Sequence, residues 1–283
     1  MKAEHIQEYF WTARERFKIM IRKSQGCCRP WTEDVAFQQW RFCNVFREDD
    51  RTTVWIRNNV RIPLKHDHRV ITAMAACRII NRIETLEILL GAGLLHAWDA
   101  HRALGVLKAV RPVVGGAYVV KTPDGMDKAA GVVKMITAID DGSTDLARFI
   151  CDVQTLEHAW EHLQGFPCIG SFMAYEIVSD LRHTDLLRSA PDINTWAAPG
   201  PGACRGLSWL EDGTIDSVHY GSKVDRDKAI RMMRTLLENS RSDINWPQDW
   251  PRWEIREVEH WLCEYFKWVR VHKLGDRMKR RYP

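Results

Sequence analysis

The chain has 283 residues, 45% of them hydrophobic and 28% charged, with a formal net charge of +4. That length buries a large core and accommodates one large or two modest domains. No run approaches the roughly eighteen apolar residues that cross a bilayer, so a membrane-spanning helix and a membrane partner are excluded, while a charge of +4 alone says little about nucleic acid. Eight cysteines lack framework spacing, and the adjacent pair Cys27-Cys28 cannot readily bridge itself. Reduced thiols and a cytoplasmic setting are expected. No CxxC pair is present, so no metal ligand is assigned.

The opening MKAEHIQEYF is charged and amphipathic, unlike a signal peptide. Ile6, Tyr9, Phe10, Ala13, Phe17, Met20 and Ile21 recur at three and four, predicting a helix over 4–24. Pro30 suits a new helix start, and the pattern resumes from Asp34 to Asp49. On a helix there, Arg41, Asn44, Arg47 and Arg51 share one face. Guanidinium groups with an asparagine suit a phosphate-rich ligand; the competing reading is a solvated face paired with Glu48, Asp49 and Asp50. Asn58-Asn59 marks a break, and His66 and His68 fall in a loop. Helices are predicted over 70–90, interrupted near Asn81, and over 99–110. Residues 113–126 are β-branched and glycine-bearing, which suggests at most a short β-hairpin. Neither a P-loop nor a Gly-x-Gly-x-x-Gly turn occurs. Helical pattern returns over 128–140 and 145–150.

From Leu156 a helical hairpin is expected. Leu156, Ala159, Trp160 and Leu163 share a face, Gly165 supplies a left-handed end, and Ser171 caps a second helix carrying Phe172, Tyr175, Ile177 and Leu181. Pro199-Gly200-Pro201-Gly202 predicts a rigid polar loop. A helix over 225–239, an ordered tryptophan- and proline-rich loop over 245–253 and a last helix over 254–270 complete the chain. The basic tail with Arg277, Lys279, Arg280 and Arg281 is either a solvated end or a phosphate grip. One mainly α domain over 1–283 is expected, divisible into lobes of about 1–150 and 151–283 with the site between them.

Phe166-Pro167-Cys168-Ile169-Gly170 followed by Met173-Ala174-Tyr175 resembles the helix-hairpin-helix of DNA glycosylases. The resemblance implies a glycosylase-like helical fold in which Gly165, Cys168, Gly170 and Ser171 meet a DNA phosphate through unpaired amides. It also places an aspartate near Asp192. Cys168 stands where a glycine is usual, and Phe172 stands near where the lyase-type enzymes carry a lysine.

Three further blocks widen the resemblance: Arg41-Phe42-Cys43-Asn44-Val45-Phe46-Arg47 with Asp50-Arg51; Asn194 through Gly202 with Arg205-Gly206-Leu207; and Val258-Glu259-His260 with Leu262-Cys263-Glu264-Tyr265, Lys267 and Arg270. In that order they are similar to the α-glutamyl/putrescinyl thymine pyrophosphorylase family, which includes phage amino acid:DNA transferases and shares its motifs with the helical module of hydroxymethyluracil kinases. The resemblance implies a transferase in the host cytoplasm, acting on double-stranded phage DNA whose hydroxymethyluracil already carries a pyrophosphate. A free amino acid such as glycine, or a polyamine, displaces the pyrophosphate. Arg41, Asn44, Arg47, Arg51, Asn194, Thr195, Arg205 and Arg270 are candidates to hold substrate and pyrophosphate. Asp192, His260, Glu264 and Lys267 are the catalytic candidates. Trp196 either stacks on a flipped base or packs in the core. No cofactor is assigned, and metal dependence is left open: Mg²⁺ often accompanies pyrophosphate, yet no dedicated carboxylate cage is visible in the sequence. The competing functions are a helix-hairpin-helix DNA glycosylase and a non-catalytic DNA-binding partner of a hydroxymethyluracil DNA kinase.

Overall fold

The computed structural model describes residues 1–278; Lys279, Arg280 and Arg281 of the basic tail lie outside the described residues. Among those described, the helices are α1 (Ala3–Ser24), α2 (Val35–Gln39), α3 (Arg51–Ile56), α4 (Val70–Ile80), α5 (Ile83–Gly91), α6 (Ala100–Lys108), α7 (Lys128–Val153), α8 (Leu156–Leu163), α9 (Ser171–Leu181), α10 (Pro201–Asp212), α11 (Lys223–Asn239) and α12 (Ile255–His272). The fold is mainly α, and no hairpin of strands forms over 113–126. Two compact units are present, 1–50 with 194–283, and 51–193. Residue 150 lies inside α7.

In the first unit, α12 is the element that the others grip. Its capping box is complete: the Glu254 amide donates to Glu257 Oε2 at 3.0 Å, and Glu254 accepts in return. Val258, Trp261, Leu262, Tyr265 and Val269 are fully buried along it. Helix α1 is tied to it by Tyr9 Oη donating to the Val258 carbonyl at 3.2 Å and Trp261 Nε1 donating to the Tyr9 carbonyl at 3.3 Å. The stretch 245–253 is ordered as its composition suggests. Trp246 Nε1 donates to the Pro251 carbonyl at 2.9 Å, and its ring lies 5.3 Å from that of Phe17.

Helix α10 corrects the expected polar loop, because it begins inside Pro199-Gly200-Pro201-Gly202. Pro201 is its first residue, where a missing N–H loses nothing. Gly202 and Gly206, four apart, face α12. A Cβ at Gly206 would sit 2.6 Å from the Leu262 carbonyl oxygen, and one at Gly202 3.0 Å from Cys263 Sγ. These glycines therefore allow close backbone approach rather than a turn.

The helix expected over 34–49 is also shortened. Asp34 caps α2 by accepting from the Phe37 amide at 2.8 Å, but Trp40 is already extended, and only a 3-10 turn over Arg47–Asp49 follows. Tertiary bonds take the backbone amides that a helix would have used: Cys43 N donates to Glu264, and Asn44 N to Asp50. Arg41, Asn44, Arg47 and Arg51 consequently do not form one helix face.

In the second unit, α3 runs on as a π-helical turn over Arg57–Arg61, straight through the expected break at Asn58-Asn59. Asn81, with φ of 42°, does interrupt the next helix. Residues 113–126 form a loop held at Gly115, whose amide donates to the Ile80 carbonyl at 2.7 Å. A Cβ at Gly115 would lie 2.2 Å from the Asn81 carbonyl oxygen. Helix α7 continues through Asp141-Gly142, joining two segments that the sequence separates. The α8–α9 hairpin forms, but its chemistry differs from the expectation. Gln164, right-handed, ends α8, so Gly165 is no left-handed cap. Gly170 caps α9, and Ser171 is its first residue. Cys168 takes the left-handed conformation, φ 59°, that a glycine would hold without the cost of about 1 kcal/mol.

Candidate active site on helix α12

Two of the separated sequence blocks, the first of them without Arg51, meet the third, on α12, within the first unit. The block at 41–50 meets it through side chains. Glu264 Oε2 accepts from the Cys43 amide at 2.8 Å, and both Glu264 oxygens accept from Lys267 Nζ, each at 2.8 Å. His260 Nε2 donates to the Asn44 carbonyl at 3.1 Å and lies 3.9 Å from Asp50 Oδ2. Asn44 is itself locked on three sides. Its amide donates to Asp50 Oδ1 at 2.9 Å, its Nδ2 to the Asp49 carbonyl at 2.7 Å, and its Oδ1 accepts from Arg16 at 2.6 Å. The block at 194–207 meets the same helix through backbone: Gly200 N donates to Glu259 Oε1 at 3.1 Å, beside the glycine stripe of α10.

Burial and charge set different protonation states along one helix face. Burial pushes the Glu259 carboxyl up to about 7, against the Gly200 amide and the Arg47 charge, which pull it down. Burial likewise raises Asp50 to about 6, opposed by the Asn44 amide and assisted by Glu264. Burial lowers His260 to about 4, leaving it neutral near pH 7. At Glu264 burial acts upward, but the Lys267 ammonium and then His260 outweigh it and hold the carboxyl below its ordinary range. Lys267 is held above its ordinary range, as Glu264 outweighs the effect of burial. The face thus combines a firmly ionised pair with two carboxyls able to exchange protons near neutrality. It is reachable from solvent: the Lys267 side chain is 32% exposed and Asp50 26%.

The other candidates are distributed unevenly. Arg47 is buried, and its charge acts on Asp50, Glu259 and His260. Trp196 is buried in the first unit. Asn194 and Thr195 are exposed, and the Thr195 carbonyl accepts from Arg234 Nε at 2.7 Å. Arg41 and Arg205 are exposed, the latter 6.0 Å over the Phe266 ring. Arg270 pairs with Asp276 at 2.7 Å. Arg51 opens the second unit and is exposed. Asp192 belongs to that unit too. Its two oxygens accept from the Leu156 and Glu157 amides at 2.9 and 3.0 Å, anchoring the start of α8. Gly165, Cys168, Gly170 and Ser171 lie in the hairpin of that unit. Sequence reasoning passed over Glu259, Asp50, Cys43 and Arg16 as site residues. Glu259 lies beside His260 and could have been found there; Arg16 gives no signal, because its helix reads as core.

A family model described as "5-hmdU DNA kinase, helical domain" matches residues 3–275. The chain is 26% identical to the 5-hmdU DNA kinase of Bacillus phage SP10, over 97% of its own length and 47% of the relative's. It therefore spans about half the length of that curated relative. No solved structure matches the chain. With its match running through nearly all of the described residues, and with the α12 site inside it, the chain belongs to the family of 5-hmdU DNA kinase helical domains.

Proposed function

We propose that this protein acts in the modification of hydroxymethyluracil in phage DNA, and that it transfers an amine to pyrophosphoryloxymethyl-uracil with release of pyrophosphate. The observation that carries the reading is the meeting of two distant blocks with the third, on α12. There, Arg47 and Lys267 stand with carboxyls poised near neutral pH. In the step, the C–O bond from the exocyclic carbon to the diphosphate breaks and a C–N bond to the amine forms. Cationic groups stabilise the departing charge, with Lys267 and Arg47 as the nearest suppliers and the exposed Arg41, Arg205 and Arg270 as outer contacts. The attacking amine must lose a proton. Glu259 accepts it more readily than His260, which burial holds neutral and weakly basic. The α8–α9 hairpin supplies backbone contacts to DNA in this reading, and the target base is extruded from the stack.

Mass spectrometry of nucleosides tests the proposal directly. DNA bearing pyrophosphorylated hydroxymethyluracil, incubated with the protein and each candidate amine, should yield a base whose mass shows the amine in place of the diphosphate. Intact substrate after exposure to glycine, other amino acids and polyamines removes the proposal.

A second reading is favoured by one observation: the matching family model describes a kinase's helical domain, and the chain spans 47% of the kinase relative. In it, the chain holds hydroxymethyluracil DNA for a kinase acting beside it. That reading predicts tight binding to the modified duplex, with no change in base mass.

A further inference from the structure

We propose that Cys43, Asp50 and His260 form a divalent-metal site of the zinc class, with a further coordination position left for a water or substrate oxygen. One ligand atom from each lies within 4.8 Å of the other two, and His260 Nε2 is 3.9 Å from Asp50 Oδ2. Tetrahedral coordination by sulfur, nitrogen and oxygen has edges of about 3.3–3.8 Å, so each side chain needs to move by about 1 Å or less. The three are held by groups that would form the outer shell. Glu264 fixes the Cys43 backbone, and the Asn44 amide occupies Asp50 Oδ1, leaving Oδ2 available. His260 projects from α12, the most firmly gripped helix of its unit.

The residue types select the ion. A thiolate, an imidazole and one carboxylate suit zinc, whereas Mg²⁺ demands oxygen ligands throughout. On binding, the thiol proton leaves to solvent and a metal–sulfur bond forms. His260 moves its ring proton from Nε2 to Nδ1, releasing the Asn44 carbonyl, and the imidazole stays neutral. Sequence spacing gives no hint of this set, since His260 comes from the opposite end of the chain. If the function proposed above holds, the open position takes an oxygen of the diphosphate, and the inference rests on that reading for this last point only.

The test needs no DNA. Full-length protein stripped with a chelator is titrated with Co²⁺, and the thiolate-to-cobalt absorption in the near ultraviolet is followed. One Co²⁺ per chain should bind with that band, and Zn²⁺ should abolish it. Cys43→Ser should remove the band, while Asp50→Asn and His260→Gln should weaken binding by more than about tenfold, the scale at which even supporting residues act. A second measurement uses the unaltered chain, in case a variant fails to fold. Zn²⁺ should slow alkylation of Cys43, read by peptide mass spectrometry, and leave the exposed Cys151 unaffected. No cobalt–thiolate band, a band that survives Cys43→Ser, or Cys43 alkylation indifferent to Zn²⁺ would each overturn the assignment. Metal binding without amine transfer would leave this site standing and remove only the proposed reaction.

Discussion

Each unit holds a buried ionic cluster, and the two are built for different ends. In the second unit Asp180 is wholly buried. Arg61 Nη1 donates to it at 2.8 Å and Arg78 Nη2 at 2.8 Å, with Arg78 Nε bound as well, and Arg78 Nη2 also reaches Thr53 at 3.2 Å. The two guanidiniums hold the carboxylate with charge-assisted hydrogen bonds, and water has no access. In the first unit the carboxyls share their cations unevenly: Glu264 is paired with the partly exposed Lys267, whereas Glu259 on α12 and the partly exposed Asp50 of the partner loop are titratable near neutral pH. Burial of charge therefore does not mark function. What distinguishes the α12 cluster is that its protonation is unsettled and its rim is wet.

The largest expected effect tests the dry cluster. Asp180→Ala leaves Arg61 and Arg78 without their shared carboxylate and should destabilise the protein by about 3–5 kcal/mol, read by urea denaturation. A loss under about 1 kcal/mol would show that the cluster is dispensable. Glu264→Gln is the contrasting change. The amide still accepts from Cys43 but no longer neutralises Lys267, so base modification should fall by about a hundredfold with the chain still folded. If both substitutions cost stability alone, the distinction between the clusters collapses.

Gly206→Ala asks whether close approach of α10 to α12 builds the site. Its Cβ meets a backbone carbonyl that cannot swing away. A destabilisation of about 1–3 kcal/mol is expected in thermal melts, larger than for Gly202→Ala, where the obstacle is a thiol. Equal effects at the two positions would contradict the packing argument.

The smallest effect concerns pH. Burial raises Glu257 from 4.5 to about 7 in the folded chain. The folded state then binds more protons than the unfolded state between those values. This contribution to stability is complete below about 4.5 and is lost as pH rises through about 7. Asp50 and Glu259 act with the same sign. Glu257→Gln, which keeps an acceptor for the Glu254 amide, should flatten part of the fall in melting temperature across that window, by an amount on the order of 1 kcal/mol. An unchanged slope would show that Glu257 is ionised throughout.

Helix periodicity and apolar spacing determined most of what could be read from the chain alone: the helical class, the long first and last helices, the interruption at Asn81, and the ordered tryptophan-rich loop. They did so because each depends on neighbours three or four residues away. The motif blocks, too, were legible as blocks, and Glu264, His260 and Lys267 could be singled out on one helix. What only tertiary structure decided was everything set by distant atoms. Residues 40–46 leave the helix where Glu264 takes the Cys43 amide and Asp50 the Asn44 amide. Gly202 and Gly206 lie in a helix because α12 passes close beside them. Asp192 caps α8 although it follows that helix by some thirty residues, and Cys43, Asp50 and His260 meet although no local spacing relates them. Local propensities of a few tenths of a kcal/mol yield to such contacts wherever a buried amide or carboxylate must find its partner.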